Sequence, residues 1–191
     1  MGFGDKKIIA VVGCFGSGKT TVAKLLAGRP LELVNADKIA HQALKDPVIK
    51  KLLLKEFGTF ARKELSEIVF TNKKRTEALN RITHPWIIGA VKKKIKKARS
   101  KTVILDAPLL IEAGLSRLAD KIIFVKASKD KIFLRLKKRD GLNKAQIGSR
   151  NKMQLAPKTK MRFADLIIDN NATLKKTKQQ VMQIRRSLWR S

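Results

Sequence analysis

The segment at residues 13–20 constrains the fold of this chain more than any other feature. It reads Gly-Cys-Phe-Gly-Ser-Gly-Lys-Thr and matches the pattern G-x-x-x-x-G-K-[ST] in full. An apolar run at residues 8–12 precedes it, and helix-forming residues 21–27 follow it. These flanks predict a buried strand, a glycine loop and a helix, the order that a phosphate-binding loop requires. The segment therefore predicts nucleotide binding rather than a glycine-rich turn that binds nothing.

The residue types in this segment suit phosphate chemistry. Gly13, Gly16 and Gly18 let the backbone curl so that successive N–H groups face one anion. The N-terminus of the following helix adds the positive end of its dipole. The pattern places Lys19 to reach the β- and γ-phosphates and Thr20 to offer a hydroxyl to Mg²⁺.

Composition limits the class of protein. The chain has 191 residues, of which 43% are apolar, enough for one sizeable core. We expect a single α/β domain with a helical insert, and no membrane span, because no apolar run approaches about 18 residues. The one cysteine, Cys14, excludes an internal disulfide and favours a cytoplasmic protein. Cys14 is better explained as a small residue that fits the loop than as a redox-sensitive thiol.

The charge of the chain is strongly positive, with 44 Lys and Arg against 15 Asp and Glu, for a net charge of +29. Such a field attracts polyanions, either nucleic acid or a highly phosphorylated small substrate. Lysines 92–94 and 96–97 alternate with apolar residues at the helical period. We therefore expect them on the solvated face of a helix.

Five short apolar runs predict strands, and helical patterns separate most of them. This alternation is typical of a parallel sheet covered by helices. Residues 38–99 are too long for one crossover and predict a helical insert, and the spacing of apolar residues after 174 predicts a terminal helix. The strand candidates are residues 7–12, 31–35, 102–106, 121–126 and 165–169.

Two aspartates lie at or just beyond the ends of predicted strands, where ligands of open α/β sheets bind. Asp37 either accepts a proton from an attacking hydroxyl and holds it in line, or caps the helix that begins at Lys38. The sequence leaves these alternatives open. Asp106 ends an apolar strand, the usual place of an acid that helps to hold Mg²⁺.

The loop after Asp106 and the pair His84-Pro85 are weaker signals. Residues 107–112 either line a substrate pocket or plug the core. His84-Pro85 is predicted to begin the lysine-rich helix, with the proline near its first position. A lone histidine in such a place is more often structural than functional.

A basic arm follows the fourth predicted strand. Arg135 and Arg139 are four residues apart on a helix from about residue 129 to Asp140, and Arg150 and Gln154 have the same spacing on the next segment. Arginines on a helical excursion of this kind either close over phosphates as a lid or form a solvated face. The spacing alone does not decide between them.

Taken in order, these motifs resemble the dephospho-CoA kinases, P-loop kinases of the nucleoside-monophosphate-kinase-like group. The His-Pro pair and the Pro-Leu-Leu-x-Glu loop distinguish that family from adenylate, guanylate and thymidylate kinases. The resemblance implies a three-layer P-loop NTPase fold with a five-stranded parallel sheet, a helical CoA-binding insert and a short lid at residues 139–162. The matching segments are residues 13–21, 35–37, 68–70, 82–85, 106–112, 135–140, 150–154 and 164–170.

The resemblance also implies an activity: transfer of the ATP γ-phosphoryl group to the 3′-hydroxyl of dephospho-CoA, with Mg²⁺, as the last step of coenzyme A biosynthesis. Asp37, Lys19 and Arg139 match the catalytic positions, and Thr20 and Asp106 match the metal ligands. The implied ATP-binding residues are Phe15, Gly16, Ser17, Gly18, Lys19, Thr20, Thr21, Arg139 and Asn170. The implied acceptor-binding residues are Asp37, His84, Pro108, Leu109, Leu110, Glu112 and Arg150.

One departure and two rival functions accompany this interpretation. Asn35 stands where many family members carry a first aspartate, which leaves Asp37 as the single acid. Another small-molecule kinase of the same fold is one rival. A basic nucleic-acid-binding NTPase is the other, and it would bind polynucleotide with a steep dependence on salt. Under the favoured interpretation nucleic acid is not required, and the protein is a monomer or a weak homo-oligomer.

Overall fold

The computed structural model describes residues 3, 5–28, 30–69, 72–152 and 154–189. Phe70, the last residue of the matching segment 68–70, lies outside them. The strands are β1 (Lys7–Gly13), β2 (Glu32–Asn35), β3 (Thr102–Asp106), β4 (Lys121–Lys126) and β5 (Leu166–Asp169). The helices are α1 (Lys19–Leu26), α2 (Ala36–Ala43), α3 (Pro47–Phe57), α4 (Arg62–Val69), α5 (Lys73–Lys97), α6 (Lys129–Asp140), α7 (Lys144–Lys152), α8 (Pro157–Met161) and α9 (Leu174–Trp189).

The strands form one five-stranded parallel sheet in the order β2-β3-β1-β4-β5. In the register of the central strand, Ile9 lies beside Ile104 of β3, and Val11 lies beside Ile123 of β4. Each strand begins and ends at or next to a predicted boundary. The three-layer α/β architecture predicted from the sequence is confirmed.

The main core lies where α1 packs against β1 and α9 packs against α1 and β5. All residues of β1 after the first are buried, which explains its uninterrupted apolar sequence. Val22 and Leu26 of α1 and Val181 of α9 pack against the same cluster and are at most 2% exposed. Burial of an aliphatic side chain of this size contributes about 1.5–3 kcal/mol. This core fixes the β1–α1 connection, which carries the phosphate-loop sequence.

The chain divides into two compact units: residues 1–34 with 98–191, and residues 35–97. The second unit consists of α2, α3, α4 and α5. Its core contains Ile49, Leu53 and Leu65, each at most 4% exposed. Trp86 on α5 donates from Nε1 to Oδ2 of Asp46, the N-cap of α3, at 2.8 Å. The range of this unit is close to that of the predicted insert, whose role in binding CoA remains a prediction.

The predicted helix start at His84-Pro85 is wrong. Pro85 lies inside α5, which runs without a break from Lys73 to Lys97. A proline in a helix removes one backbone hydrogen bond and normally favours a helix end. Here the helix continues because it packs against α2, α3 and α4. The Thr83 hydroxyl adds a bond of 2.8 Å to the Leu79 carbonyl, one turn before it.

The lysine-rich end of α5 has the predicted amphipathic arrangement. Val91 and Ile95 are buried, at 4% and 0% exposure. Lysines 93, 94, 96 and 97 are exposed, and Lys92 is intermediate. The solvated-face interpretation of this lysine cluster is confirmed. Among the helices of the described residues, none has the length and apolarity that a membrane crossing needs.

Candidate active site

Residues 13–20 form a tight loop between β1 and α1, and its glycines are required by space. Gly16 and Gly18 have φ values of 79° and 94°, a backbone region that favours glycine. A Cβ atom at Gly16 would lie 2.8 Å from Cδ1 of Leu136, and one at Gly18 would collide with the side chain of Asn170. The loop therefore fits closely against α6 and the residues after β5.

Lys19 is held inside this loop. It is only 7% exposed, and its Nζ donates to the Cys14 carbonyl at 2.8 Å. Gly18, the N-cap of α1, has no side chain to cap the helix. The buried hydroxyl of Ser17 has no hydrogen-bond partner within the described part of the chain. A buried ammonium, an uncapped helix N-terminus and an unpartnered hydroxyl together suit a bound phosphate.

Thr20 and Asp106 bring the loop and the end of β3 together. The Thr20 hydroxyl donates to Oδ2 of Asp106 at 2.8 Å, and Asp106 is 0% exposed. The sheet order makes this contact possible, because β3 is the neighbour of β1. Hydroxyl and carboxylate oxygens are hard ligands of the kind that Mg²⁺ prefers. The donor set therefore fits the predicted metal.

Arg135 and Asn170 brace the phosphate loop. The Arg135 guanidinium donates to the Asn170 carbonyl at 2.7 Å and to the Ser17 carbonyl at 3.3 Å. The Asn170 side chain donates to the same Ser17 carbonyl at 2.8 Å and accepts from the Thr177 hydroxyl at 2.9 Å. Sequence spacing identified Arg135 only as a lid candidate. Its contacts with the loop depend on the tertiary structure, and no local signal could have found them.

The β3 loop, residues 107–115, contains both exposed and buried members of the predicted acceptor set. Leu109 is 41% exposed, whereas Leu110 is 2% exposed and belongs to the core. The loop thus lines the surface and plugs the core at once. Oε1 of Glu112 forms an ion pair of 2.6 Å with Lys160 Nζ and accepts the Leu155 backbone N–H at 3.1 Å. Lys160 was not identified from the sequence.

The basic arm is only partly as predicted. Helix α6 begins after the N-cap Ser128 and ends at the C-cap Gly141, close to the expected bounds. Arg139 makes a bidentate ion pair with Asp140, at 2.9 and 2.7 Å, and its side chain is 67% exposed. The expected helical spacing of Arg150 and Gln154 is wrong, because α7 ends at Lys152.

Phe15 belongs to the phosphate loop and packs against the basic arm. Its ring is partly buried against the cluster of Ile132, Leu136 and neighbouring side chains. The guanidinium carbon of Arg150 lies 5.3 Å from the centre of the Phe15 ring, within the range of a cation–π contact. Packing of Phe15 is therefore observed, and its implied contact with ATP remains a prediction.

Asp37 is not the N-cap of its helix. That position belongs to Asn35, whose Oδ1 accepts the Lys38 backbone N–H at 2.7 Å, while Asp37 lies in the first turn. The N-cap alternative for Asp37 is therefore wrong, and Asn35 serves as the cap, a role that asparagine performs about as well as aspartate. In the same unit His84 is half-buried, and burial lowers the pKa of its imidazole.

The Cys14 thiol is not activated. Burial raises its pKa, against opposing effects of the Lys160 and Lys19 ammonium groups. A raised pKa reduces the thiolate fraction that oxidants and electrophiles attack. This agrees with the interpretation of Cys14 as a small residue that fits the loop.

The fold and this site define a P-loop kinase. Shikimate kinase from Acinetobacter baumannii shares the fold, with a TM-score of 0.55 and 15% identity over 96% of this chain and 93% of that one. A sequence profile of the dephospho-CoA kinase family matches residues 7–176. The chain belongs to the dephospho-CoA kinase family and is an ATP-dependent phosphotransferase.

Individual relatives agree with this assignment. The chain is 34% identical over 186 residues to the dephospho-CoA kinase of Dehalococcoides mccartyi, covering 92% of this chain and 94% of that protein. It is 36% identical to that of Bacillus licheniformis, covering 93% and 94%. Among solved structures, the dephospho-CoA kinase from Campylobacter jejuni has a TM-score of 0.61 and 26% identity, covering 96% and 97%. The protein TT1252 from Thermus thermophilus has a TM-score of 0.82 and 26% identity, covering 96% and 98%.

Proposed function

We propose that this protein transfers the γ-phosphoryl group of ATP to the ribose 3′-hydroxyl of dephospho-CoA, giving CoA and ADP, the last step of coenzyme A biosynthesis. The observation that carries the proposal is the Thr20–Asp106 contact beside the buried Lys19, in a chain that matches the family from residue 7 to 176. The phosphate loop supplies the kinase chemistry. Membership of the dephospho-CoA kinase family supports dephospho-CoA as the acceptor.

On the donor side, residues 15–21 bind the triphosphate of ATP. When ATP binds, the Lys19 ammonium donates hydrogen bonds to the β- and γ-phosphates, in place of or besides its bond to the Cys14 carbonyl. Its charge there offsets the negative charge that develops during transfer. Arg135 and Asn170 keep the Ser17 carbonyl and the loop in place. Because these braces are already formed, ATP binding requires little reorganisation of the loop.

Thr20 and Asp106 are the residues that would hold Mg²⁺. When bound with ATP, the ion would neutralise phosphate charge and polarise the group that is transferred. Asp106 is buried next to the loop, so its carboxylate is fixed before the nucleotide arrives. Thr20 then links the position of the carboxylate to the start of α1.

On the acceptor side, Asp37 takes the proton of the 3′-hydroxyl as that oxygen bonds to the γ-phosphorus and the bond to the ADP oxygen breaks. Support comes from the position of Asp37 directly after a sheet strand, and from Asn35 performing the capping role instead. His84, Arg150 and the β3 loop bind the rest of dephospho-CoA. Within the β3 loop, the half-buried Pro108, the exposed Leu109 and the carboxylate of Glu112 are the contacts, and the buried Leu110 packs beneath them.

Arg139 acts as the lid arginine. Its partner Asp140 is an exposed neighbour, and exposed ion pairs contribute little to stability. Arg139 can therefore exchange Asp140 for phosphate oxygens when the lid, residues 139–162, closes over ATP. The planar guanidinium suits bidentate contact with a phosphate.

The proposal assigns the unit of residues 35–97 to CoA binding and places the reaction in the cytoplasm, by a monomer or a weak homo-oligomer that needs no nucleic acid. The large positive charge supports the binding of both substrates, because the triphosphate of ATP and the diphosphate of dephospho-CoA are negatively charged.

The test is an acceptor panel assayed by ADP release. We expect ATP turnover to rise at least about tenfold above background with dephospho-CoA and to stay near background with AMP, shikimate or single-stranded DNA. The Lys19→Met variant provides the background for contaminating kinases. Stimulation by DNA, or by AMP and dephospho-CoA equally, would refute the acceptor assignment.

A further inference from the structure

The end of the basic arm contains a fully buried cation. Lys160 lies in the short helix α8 and is 0% exposed. Its Nζ forms the 2.6 Å ion pair with Glu112 and donates to the Pro108 carbonyl at 3.2 Å and to Oε1 of Gln154 at 3.1 Å. All three protons of the ammonium therefore have acceptors.

These acceptors come from two separate segments. Pro108 and Glu112 belong to the β3 loop, whereas Gln154 lies between α7 and α8. The Leu155 backbone N–H, next to Gln154, bonds to the same Glu112 oxygen as Lys160 does, at 3.1 Å. The ion pair thus joins the arm to the loop at two neighbouring points.

A lysine is rarely buried unless something compensates for its lost hydration. A buried ion pair is weak evidence for stability alone, since apolar residues often serve as well in its place. Here the ion pair orients the carboxylate of Glu112. It fixes Oε1 of Glu112, and Oε2, which is buried and has no hydrogen-bond partner among the described residues, is left to accept a bond from a ligand.

We propose that Lys160 is a positioning residue for acceptor binding: its ammonium ties the arm to the β3 loop and holds Glu112 in the orientation that dephospho-CoA requires. The inference rests on the proposed role of the β3 loop in binding the acceptor. Lys160 does not touch the substrate in this account. It acts through Glu112 and the Pro108 carbonyl, and loss of its charge releases both.

The test compares steady-state kinetics of full-length Lys160→Met with the wild type. Methionine preserves the volume of the lysine stem but removes the charge. The Michaelis constant for dephospho-CoA should rise by about tenfold or more, as displacement of a positioned group commonly causes. The constant for ATP should stay within about threefold, because the phosphate loop has its own braces. Lys175→Met, an exposed lysine of α9, is the matched control and should match the wild type for both substrates.

A double variant shows whether Lys160 acts through Glu112. If it does, Lys160→Met/Glu112→Gln should have a Michaelis constant for dephospho-CoA no higher than that of the worse single variant. If the increases of the two single variants multiply in the double variant, the inference is overturned.

Should Lys160→Met fail to fold, a milder variant tests the same inference. Gln154→Met removes only one contact of the ammonium and should still raise the Michaelis constant for dephospho-CoA, by roughly threefold. An unchanged constant in Gln154→Met would then count against the proposal.

The outcomes separate this inference from the proposed function. If Glu112→Gln raises the acceptor constant and Lys160→Met does not, or if Lys160→Met lowers only the melting temperature, Lys160 is structural and the inference alone is overturned. If Glu112→Gln is also silent, the β3 loop does not bind the acceptor, and that part of the proposed function is overturned with it. Absence of turnover of dephospho-CoA by the wild type would remove the proposed function first.

Discussion

The hydroxyl of Thr20 donates a hydrogen bond of 2.8 Å to the buried carboxylate of Asp106. This contact joins the first turn of α1 to the last residue of β3, and it places two hard oxygen ligands at the phosphate loop. It is the point at which the sheet order determines the chemistry of the site.

Asp106→Asn should lower kcat by about 10²-fold or more, because the amide can still accept the Thr20 bond but no longer carries the charge that a metal ligand needs. The Mg²⁺ concentration for half-maximal rate should rise as well. Both kcat and this Mg²⁺ concentration are measured by titrating the initial rate with magnesium. Asp165→Asn removes a carboxylate that binds the Ile122 N–H at 2.8 Å and should affect only stability. An unchanged magnesium dependence in Asp106→Asn would contradict the metal assignment.

Lys19→Met should reduce kcat by about 10²-fold or more, since it deletes a preorganised charge aimed at the transferred group. The side chain is nearly buried, so methionine is chosen to retain its packing. Lys24→Met, on the exposed face of the same helix, serves as the control. Turnover is measured together with the melting temperature, and a folded Lys19→Met enzyme with near wild-type kcat would contradict the assignment of the phosphate loop.

Asp37→Asn should lose roughly 10²–10⁴ in kcat, the usual range for loss of a general base. Because Asn35 caps α2, this variant keeps the cap and loses only a first-turn charge near the helix N-terminus, a change of about 0.3–1 kcal/mol. The Michaelis constant for ATP should change little. Asn35→Ala is the complementary variant: it should lower the melting temperature through the lost cap and leave more activity than Asp37→Asn does. The reverse order of the two activities would remove Asp37 from the mechanism.

Arg139→Lys should lower kcat even though the charge is kept, because lysine lacks the planar fork that grips phosphate. The expected loss is about tenfold or more for a charge-assisted contact made in the transition state. Arg99→Lys, an exposed arginine away from the arm, is the matched exchange and should be silent. Wild-type rates in both variants would show that Arg139 is a solvated residue and would remove it from the mechanism.

Local patterns in the sequence were sufficient to predict the sheet. The central strands β1, β3 and β4 are short apolar runs, because a strand in the middle of a covered parallel sheet is buried on both faces. The edge strands β2 and β5 each bury one residue. The phosphate loop was equally readable, since Gly16 and Gly18 meet steric limits that only glycine satisfies. Pro85 was misleading because propensity favours a helix end there, whereas the contacts of α5 with three other helices outweigh the missing backbone bond.

Only those site residues that belong to a local sequence motif or to the end of a strand could be predicted. Lys19 and Thr20 follow from the loop, and Asp106 follows from the end of its strand. Lys160 could not be found, because a lysine in a chain with this many basic residues is expected in solvent, and its partner Glu112 lies far away along the chain. Arg135 had the right spacing, but its contacts with Ser17 and Asn170 depend on the pairing of β4 with β1 and of β5 with β4.

The most direct measurement of the central claim is the fate of the γ-phosphoryl group. Wild-type protein is incubated with γ-labelled ATP, Mg²⁺ and dephospho-CoA, and labelled product is separated from inorganic phosphate. We predict one labelled CoA for each ADP released, with the label on the ribose 3′-oxygen. ADP release accompanied only by labelled inorganic phosphate, or label on an acceptor other than dephospho-CoA, would contradict the account.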